Sequence, residues 1–266
     1  MQKAGAIGVF DSGVGGLSVL RHIREVLPNE RLIYVADSGH VPYGDKSREY
    51  IEARSLNISR FLRQQGADAI VIACNTASAA AAASLRSQFD MPIIAMEPAV
   101  KPAVAASRNG IVGVLATSGT LASARFAALL ERYAGEGEVI TQGCPGLVEQ
   151  VEKGDLNSPV TRELIERYTK PLLARGADTL ILGCTHYPFL TAIIAEVVGS
   201  NIALIDTGAA VARQLQQRIQ TELRPRLPGV ASSEFFTSGG AIHATRIMSI
   251  LWGEGVEAQQ LPPEFL

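Results

Sequence analysis

At 266 residues, with 47% hydrophobic and 19% charged side chains, the chain has a globular composition and room for two cores of ordinary domain size. Its 24 basic and 26 acidic residues leave a net charge of −2, with only the short RPRL at 224–227 as a basic cluster, which argues against a nucleic-acid backbone as main ligand. No apolar run reaches the roughly 20 residues of a bilayer span and the N-terminus lacks a signal-peptide core; a cytoplasmic location is expected, with the three cysteines kept as thiols.

In chain order, AIGVF predicts a buried strand that ends on Asp11–Ser12 and a glycine-rich loop, followed by a helix over 17–27. RLIYVAD predicts the second strand, then a helix over 48–66; AIVIAC predicts the third, then an Ala-rich helix over 78–89, and PIIAM the fourth strand. The same alternation continues with IVGVLAT, a helix over 123–134, EVITQ, a helix over 158–176, TLILGC, a helix over 188–199 and IALID. The tail adds the helix AAVARQLQQRIQTEL, a Pro-rich turn, the strand SEFFTS, Gly239–Gly240 and the helix AIHATRIMSILWG. Such alternation builds parallel sheets with crossover helices, an α/β fold, in which ligands gather at the carboxyl ends of strands. Asp11–Ser12, Asp37–Ser38, Cys74–Asn75–Thr76, Thr117–Ser118 and Cys184–Thr185–His186 all fall at predicted strand ends.

The chain also repeats itself. GADAIVIACNTA at 66–77 returns as GADTLILGCTHY at 176–187, so that Gly66 maps onto Gly176 and Cys74 onto Cys184 at one displacement. GAIGVFDSGVGGLS from Gly5 returns as GIVGVLATSGTLAS from Gly110, and PIIAMEPA from Pro92 as NIALIDTG from Asn201. Three segments in one order at nearly one spacing imply two similar lobes, because the period is a domain's length and not a solenoid unit. The expected architecture is two pseudosymmetric lobes, 1–96 with 208–266 and 97–207. Each is a mainly parallel sheet flanked by helices, and the site lies in the cleft between them.

One thiol per lobe suggests two thiols facing one site, the geometry for removing a proton from one face of a carbon and returning one to the other. Each cysteine precedes an expected helix start, whose N–H groups favour a thiolate. A lone cysteine is ordinarily an inert core residue, as Cys144 in QGCPGL reads; the duplicated pair at polar strand ends weighs against that for Cys74 and Cys184. The cysteines and His186 lack the close-paired spacing of a zinc site, so no metal is expected. His186 reads as a proton-shuttling or hydrogen-bonding partner, or else as a core or capping histidine. In DSGVGGLS the third glycine is misplaced for a dinucleotide loop. Gly13, Gly15 and Gly16 read better as bringing N–H groups to a small carboxylate at a helix N-terminus. Asp11 either polarises a thiol or caps the helix. Ser12, Asn75, Thr76, Thr117, Thr120 and Thr185 are short neutral groups suited to carboxylate and ammonium, or to ordinary capping.

From GVFDSGVGGLSVL through ADSGHVPYGDKS, ACNTASA and LGCTHYPFL to DTG and TSGG, the chain resembles the glutamate racemases of the cofactor-independent aspartate/glutamate racemase superfamily. His186–Tyr187–Pro188 and the VPYG at 41–44 are similar to the glutamate branch. The resemblance implies interconversion of L- and D-glutamate by two thiols, without pyridoxal phosphate or another cofactor. It further implies a role in supplying D-glutamate for peptidoglycan synthesis, and a homodimer. Cys74 would take the α-proton of D-glutamate while Cys184 protonates the other face, with the roles exchanged for L-glutamate. Asp11, Glu152 and His186 are the implied assisting groups, with Glu149, one helical turn from Glu152, as the alternative carboxylate. Asp11, Ser12, Tyr43, Gly44, Asn75, Thr76, Thr117, Thr120, Thr185 and His186 are the implied substrate contacts. The alternatives are a racemase for another acidic amino acid such as aspartate, a decarboxylase-like relative needing one thiol, and a bilobal binding protein without chemistry.

Overall fold

The computed structural model describes residues 5–133, 135, 137–223 and 231–266. RPRL, the Pro-rich turn and Ala134 at the end of one expected helix lie outside the described residues. The first half runs β1 (Ala6–Asp11), α1 (Leu17–Val26), β2 (Arg31–Ala36), α2 (Arg48–Gln64), β3 (Ala67–Ile72), α3 (Asn75–Gln88) and β4 (Ile93–Ala95). The second runs α4 (Val100–Ala106), β5 (Ile111–Ala116), α5 (Ser118–Leu121), α6 (Ala124–Arg132), β6 (Glu138–Gly143), α7 (Leu147–Lys153), α8 (Pro159–Ala174), β7 (Thr179–Leu182), α9 (Thr191–Val198) and β8 (Ala203–Ile205). The tail holds α10 (Gly208–Glu222), β9 (Ser232–Thr237), α11 (Ala241–Trp252) and β10 (Ala258–Gln260).

All strand pairings among the described residues are parallel, in two sheets ordered β10-β9-β2-β1-β3-β4 and β6-β5-β7-β8. The tail strands therefore extend the first sheet beyond β2. Both sheets are covered on both faces, which is why their strands read as nearly unbroken apolar runs. Ala6 and Phe10 of β1 face α2 and α3, while Ile7 and Val9 face the opposite way into a cluster that also contains Leu115, Leu180 and Leu182 of the second sheet. Val112, Val114 and Ile181 close the far face of that sheet with Val100 and Phe126. The composition suggests two separate cores; instead the two sheets share one cluster between them, with a further cluster on each outer face.

Much of the repeat has a packing cause. Gly66 and Gly176 follow α2 and α8 at φ +91° and +89°, a left-handed turn into the next strand that favours glycine. Gly8 and Gly113 let a helix close on the sheet, since an added Cβ would stand 3.0 Å from Leu62 of α2 and 2.8 Å from Leu172 of α8, respectively.

Four elements lie outside the expectations: α4, α5, α7 and β10. Helix α7 is seven residues long and is bracketed by left-handed Gly146 and Gly154. Two expected helix starts also shift. Helix α3 begins at Asn75, not 78, because Cys74 itself occupies the N-cap position. After Cys184 the chain makes a 3-10 turn over Tyr187–Leu190, and α9 starts only at Thr191.

Candidate active site

The carboxyl ends of β1, β3, β5 and β7, with the 3-10 turn over Tyr43–Asp45 and with α5, deliver the candidate residues to one pocket between the lobes. Ser12, Tyr43, Gly44, Cys74, Asn75 and Thr76 line it from the first lobe, and Thr117, Thr120, Cys184, Thr185 and His186 from the second. Asp11 and Glu152 stand behind this lining, hydrogen-bonded to Thr185 and His186 respectively. Pro42, Val148 and Gly183 also line the pocket and were not expected. Gly183 and Pro42 lie within recognised motifs, whereas Val148 lies on α7, for which the sequence has no periodic signal.

On the Cys74 side, the sulfur caps α3, accepting from the Ala77 N–H at 3.5 Å, and lies 3.8 Å from the Ser12 hydroxyl. Asp11 is fully buried beside it, accepting from the N–H groups of Ser12 and Gly16 at 2.7 Å each and from the Thr185 hydroxyl at 3.3 Å. The helix N-terminus was expected to lower the thiol pKa. Burial and the Asp11 charge instead push Cys74 well above the ordinary thiol value, and the Ala77 N–H only partly opposes them. Burial also raises the Asp11 carboxyl, with His186 opposing the rise. A raised carboxyl beside a raised thiol is a pair able to pass one proton between them.

The Cys184 side is built differently. Its sulfur lies 3.6 Å from His186 Nδ1, and His186 Nε2 lies 2.7 Å from Glu152 Oε1. Burial alone would lower the imidazole pKa, but the hydrogen bonds to Cys184 and Glu152 outweigh it and hold His186 well above its usual value. Protonated, the ring donates from both nitrogens, linking carboxylate, imidazolium and sulfur. Glu152, and not Glu149, is the carboxylate bonded to His186.

The glycine loop has a different task from the expected one. Three of its N–H groups are taken by the protein's own carboxylates: Ser12 and Gly16 donate to Asp11, and Val14 donates to Glu152 at 2.7 Å. The glycines leave space for the opposite lobe, since a Cβ at Gly13 would stand 1.8 Å from Glu152 Oε1 and one at Gly15 2.3 Å from His186 Nδ1.

Three hydroxyls join the lobes across the pocket, with Thr76 bonded to Thr117 at 2.9 Å and to Thr120 at 3.1 Å. Tyr43 donates to Asp37 at 2.5 Å, and Arg54 grips the same carboxylate through 2.7 and 3.0 Å bonds. Arg54 is a supporting residue that the motifs do not signal. Asn75 is 5% exposed, and neither its amide oxygen nor its nitrogen has a hydrogen-bond partner. Such an orphaned amide costs stability unless a ligand satisfies it. Cys144 lies outside the lining, and burial pushes its thiol up to about 12. Among the described residues, no group of three His, Cys, Asp or Glu is placed to hold a metal ion, and no helix is long and apolar enough to cross a membrane.

Residues 7–215 match the family model described as Asp/Glu/Hydantoin racemase. A glutamate racemase of Methylococcus capsulatus is 57% identical over 262 residues, covering 97% of this chain and 96% of the relative. The crystal structure of a Bacillus anthracis glutamate racemase isoform superposes with a TM-score of 0.89 at 31% identity, covering 99% of each chain. That of the Escherichia coli glutamate racemase, in complex with L-glutamate and the activator UDP-MurNAc-Ala, has a TM-score of 0.87 at 33% identity, covering 97% of this chain and 98% of that one.

Proposed function

The chain belongs to the Asp/Glu/hydantoin racemase family, and from that membership and its site we infer that it interconverts L-glutamate and D-glutamate, supplying D-glutamate for peptidoglycan synthesis. The observation that carries the two-thiol mechanism is that Cys74 and Cys184, one from each lobe, line a single buried pocket together with the unpartnered Asn75 amide. For D-glutamate, Asp11 accepts the Cys74 proton, the resulting thiolate removes the α-proton, and the Cys184 thiol delivers its own proton to the opposite face. His186, backed by Glu152, then reprotonates Cys184. For L-glutamate the order runs in reverse.

An amino acid's α-proton is far less acidic than a thiol, so most of the rate must come from the site. Orientation removes much of the association entropy. Exclusion of water and hydrogen bonds that strengthen as charge moves into the substrate carboxylate supply the rest. Asn75, Thr185 and Ser12 are the neutral donors suited to that carboxylate, with Thr76, Thr117, Thr120, Tyr43 and Gly44 shaping the remainder of the pocket. The lobes are taken as 1–96 with 208–266 and 97–207. The family resemblance further implies a cytoplasmic homodimer, which sedimentation would read directly.

The test is incubation with D- or L-glutamate in D2O without added cofactor, followed by chiral separation and mass measurement. The product enantiomer should carry α-deuterium, and Cys74→Ser and Cys184→Ser should each abolish turnover. Racemisation that survives either substitution would remove the two-thiol mechanism; aspartate run in parallel decides the substrate.

A further inference from the structure

Tyr34 is a fully buried phenol that stands outside the pocket lining, yet its hydroxyl donates to the Gly13 carbonyl at 2.7 Å. Gly13 lies in the loop on which both proton-transfer arms rest. On one side, the Ser12 and Gly16 N–H groups hold Asp11, the partner of Cys74. On the other, the Val14 N–H holds Glu152, which holds His186. Ser18 ties the same loop to the second lobe, donating to the carbonyls of Gly15 and Thr185, each at 2.9 Å.

Little slack exists in these contacts. A Cβ at Gly16 would stand 2.8 Å from Asp11 Cβ and 2.9 Å from the Tyr34 hydroxyl. Burial and the nearby carboxylates keep the phenol protonated, so it remains a donor throughout the neutral range. Phenylalanine in its place would leave the Gly13 carbonyl without this donor, and an unsatisfied buried carbonyl favours a shifted loop.

We propose that Tyr34 and the Gly13–Gly16 loop form one positioning element that sets the Asp11–Cys74 and Glu152–His186–Cys184 arms together. This rests on the two-thiol reading of the site. Such a reaction needs one arm deprotonated and the other protonated on opposite faces of one carbon, so an error in either position is an error in both. A single loop bonded to both arms keeps them in register. Tyr34 acts through the loop and touches no reacting atom.

The experiment is the pH profile of kcat/KM, whose two limbs report the base and the acid of the free enzyme. Tyr34→Phe removes one hydroxyl, and Gly16→Ala adds a methyl whose nearest neighbours are Asp11, Tyr34 and Ala73. Each is expected to move both limbs and to lower kcat about 10- to 100-fold, the scale of a small misplacement of catalytic groups, with KM changed less than about threefold. Glu152→Gln, which keeps an oxygen for Val14, should move one limb only. A Tyr34→Phe or Gly16→Ala protein that loses activity with one limb or none displaced overturns the proposal and leaves the two-thiol reading intact. Should Tyr34→Phe fail to fold, Gly16→Ala decides alone. Absence of α-deuterium incorporation by the unmodified protein would instead remove the reading beneath the proposal.

Discussion

Glutamine at position 152 keeps an acceptor oxygen where Val14 N–H and His186 Nε2 both bond, at 2.7 Å each, and removes only the charge. The Glu152 side chain is 13% exposed and that of His186 2%, so solvent screens the pair little. A charge-assisted hydrogen bond contributes about 1.5–3 kcal/mol and a neutral one about 0.5–1.5, so the substitution should cost about 1–1.5 kcal/mol. The His186 pKa should fall correspondingly. The sign follows from the direction of the native shift. His186 is raised above its unfolded value of about 6.5, so its protonation stabilises the fold fully below that pH, and this contribution is lost as pH rises through the folded pKa. The pH-dependent part of the stability difference between the native protein and Glu152→Gln should therefore be largest near pH 6 and vanish on the alkaline side. Urea unfolding from pH 5.5 to 9.5 measures it. The His186 ring proton resonance, identified by its loss in His186→Asn, tracks the pKa directly. A stability difference that does not change with pH, or a His186 that titrates identically in both proteins, would refute the assignment of Glu152 as the group that keeps this imidazole charged.

Arg54→Met leaves the buried Asp37 carboxylate with the Tyr43 hydroxyl but without its cation, and should cost about 3–5 kcal/mol in urea unfolding at neutral pH; a loss below about 1 kcal/mol would show the pair to be solvated. Thr76→Val deletes the hydroxyl that bonds Thr117 and Thr120 across the lobes, and should raise KM about three- to tenfold with a smaller change in kcat. The opposite split would place Thr76 in the chemistry rather than in binding. Cys144→Ala should retain activity within about twofold, since burial pushes that thiol up to about 12 and it lies outside the pocket. Native Cys144 should also resist iodoacetamide at pH 7.5, and its rapid alkylation, read by mass spectrometry, would contradict the burial.

The strands are legible in the sequence because a parallel strand covered on both faces is an apolar run with little else in it, as in AIGVF and TLILGC. The longer helices are legible from period and caps, among them Ser47 before α2 and Ser158 before α8. Helix α7 is not, since seven residues hold too few turns for a period to show and tertiary packing holds it in place. That gap matters, because α7 carries both Val148 and Glu152 to the site.

The sequence by itself determined that two like halves each carry a thiol at a strand end, because duplication leaves its pattern in linear order and strand ends follow from local apolar runs. Only the tertiary structure decided which groups meet those thiols. It brought Glu152 rather than Glu149 to His186 and filled the glycine loop with the protein's own carboxylates. It also let burial outweigh the helix N-terminus at Cys74. Each of these depends on how closely two sheets pack and what is thereby removed from water, and desolvation is a property of the whole surround that no local stretch of residues encodes.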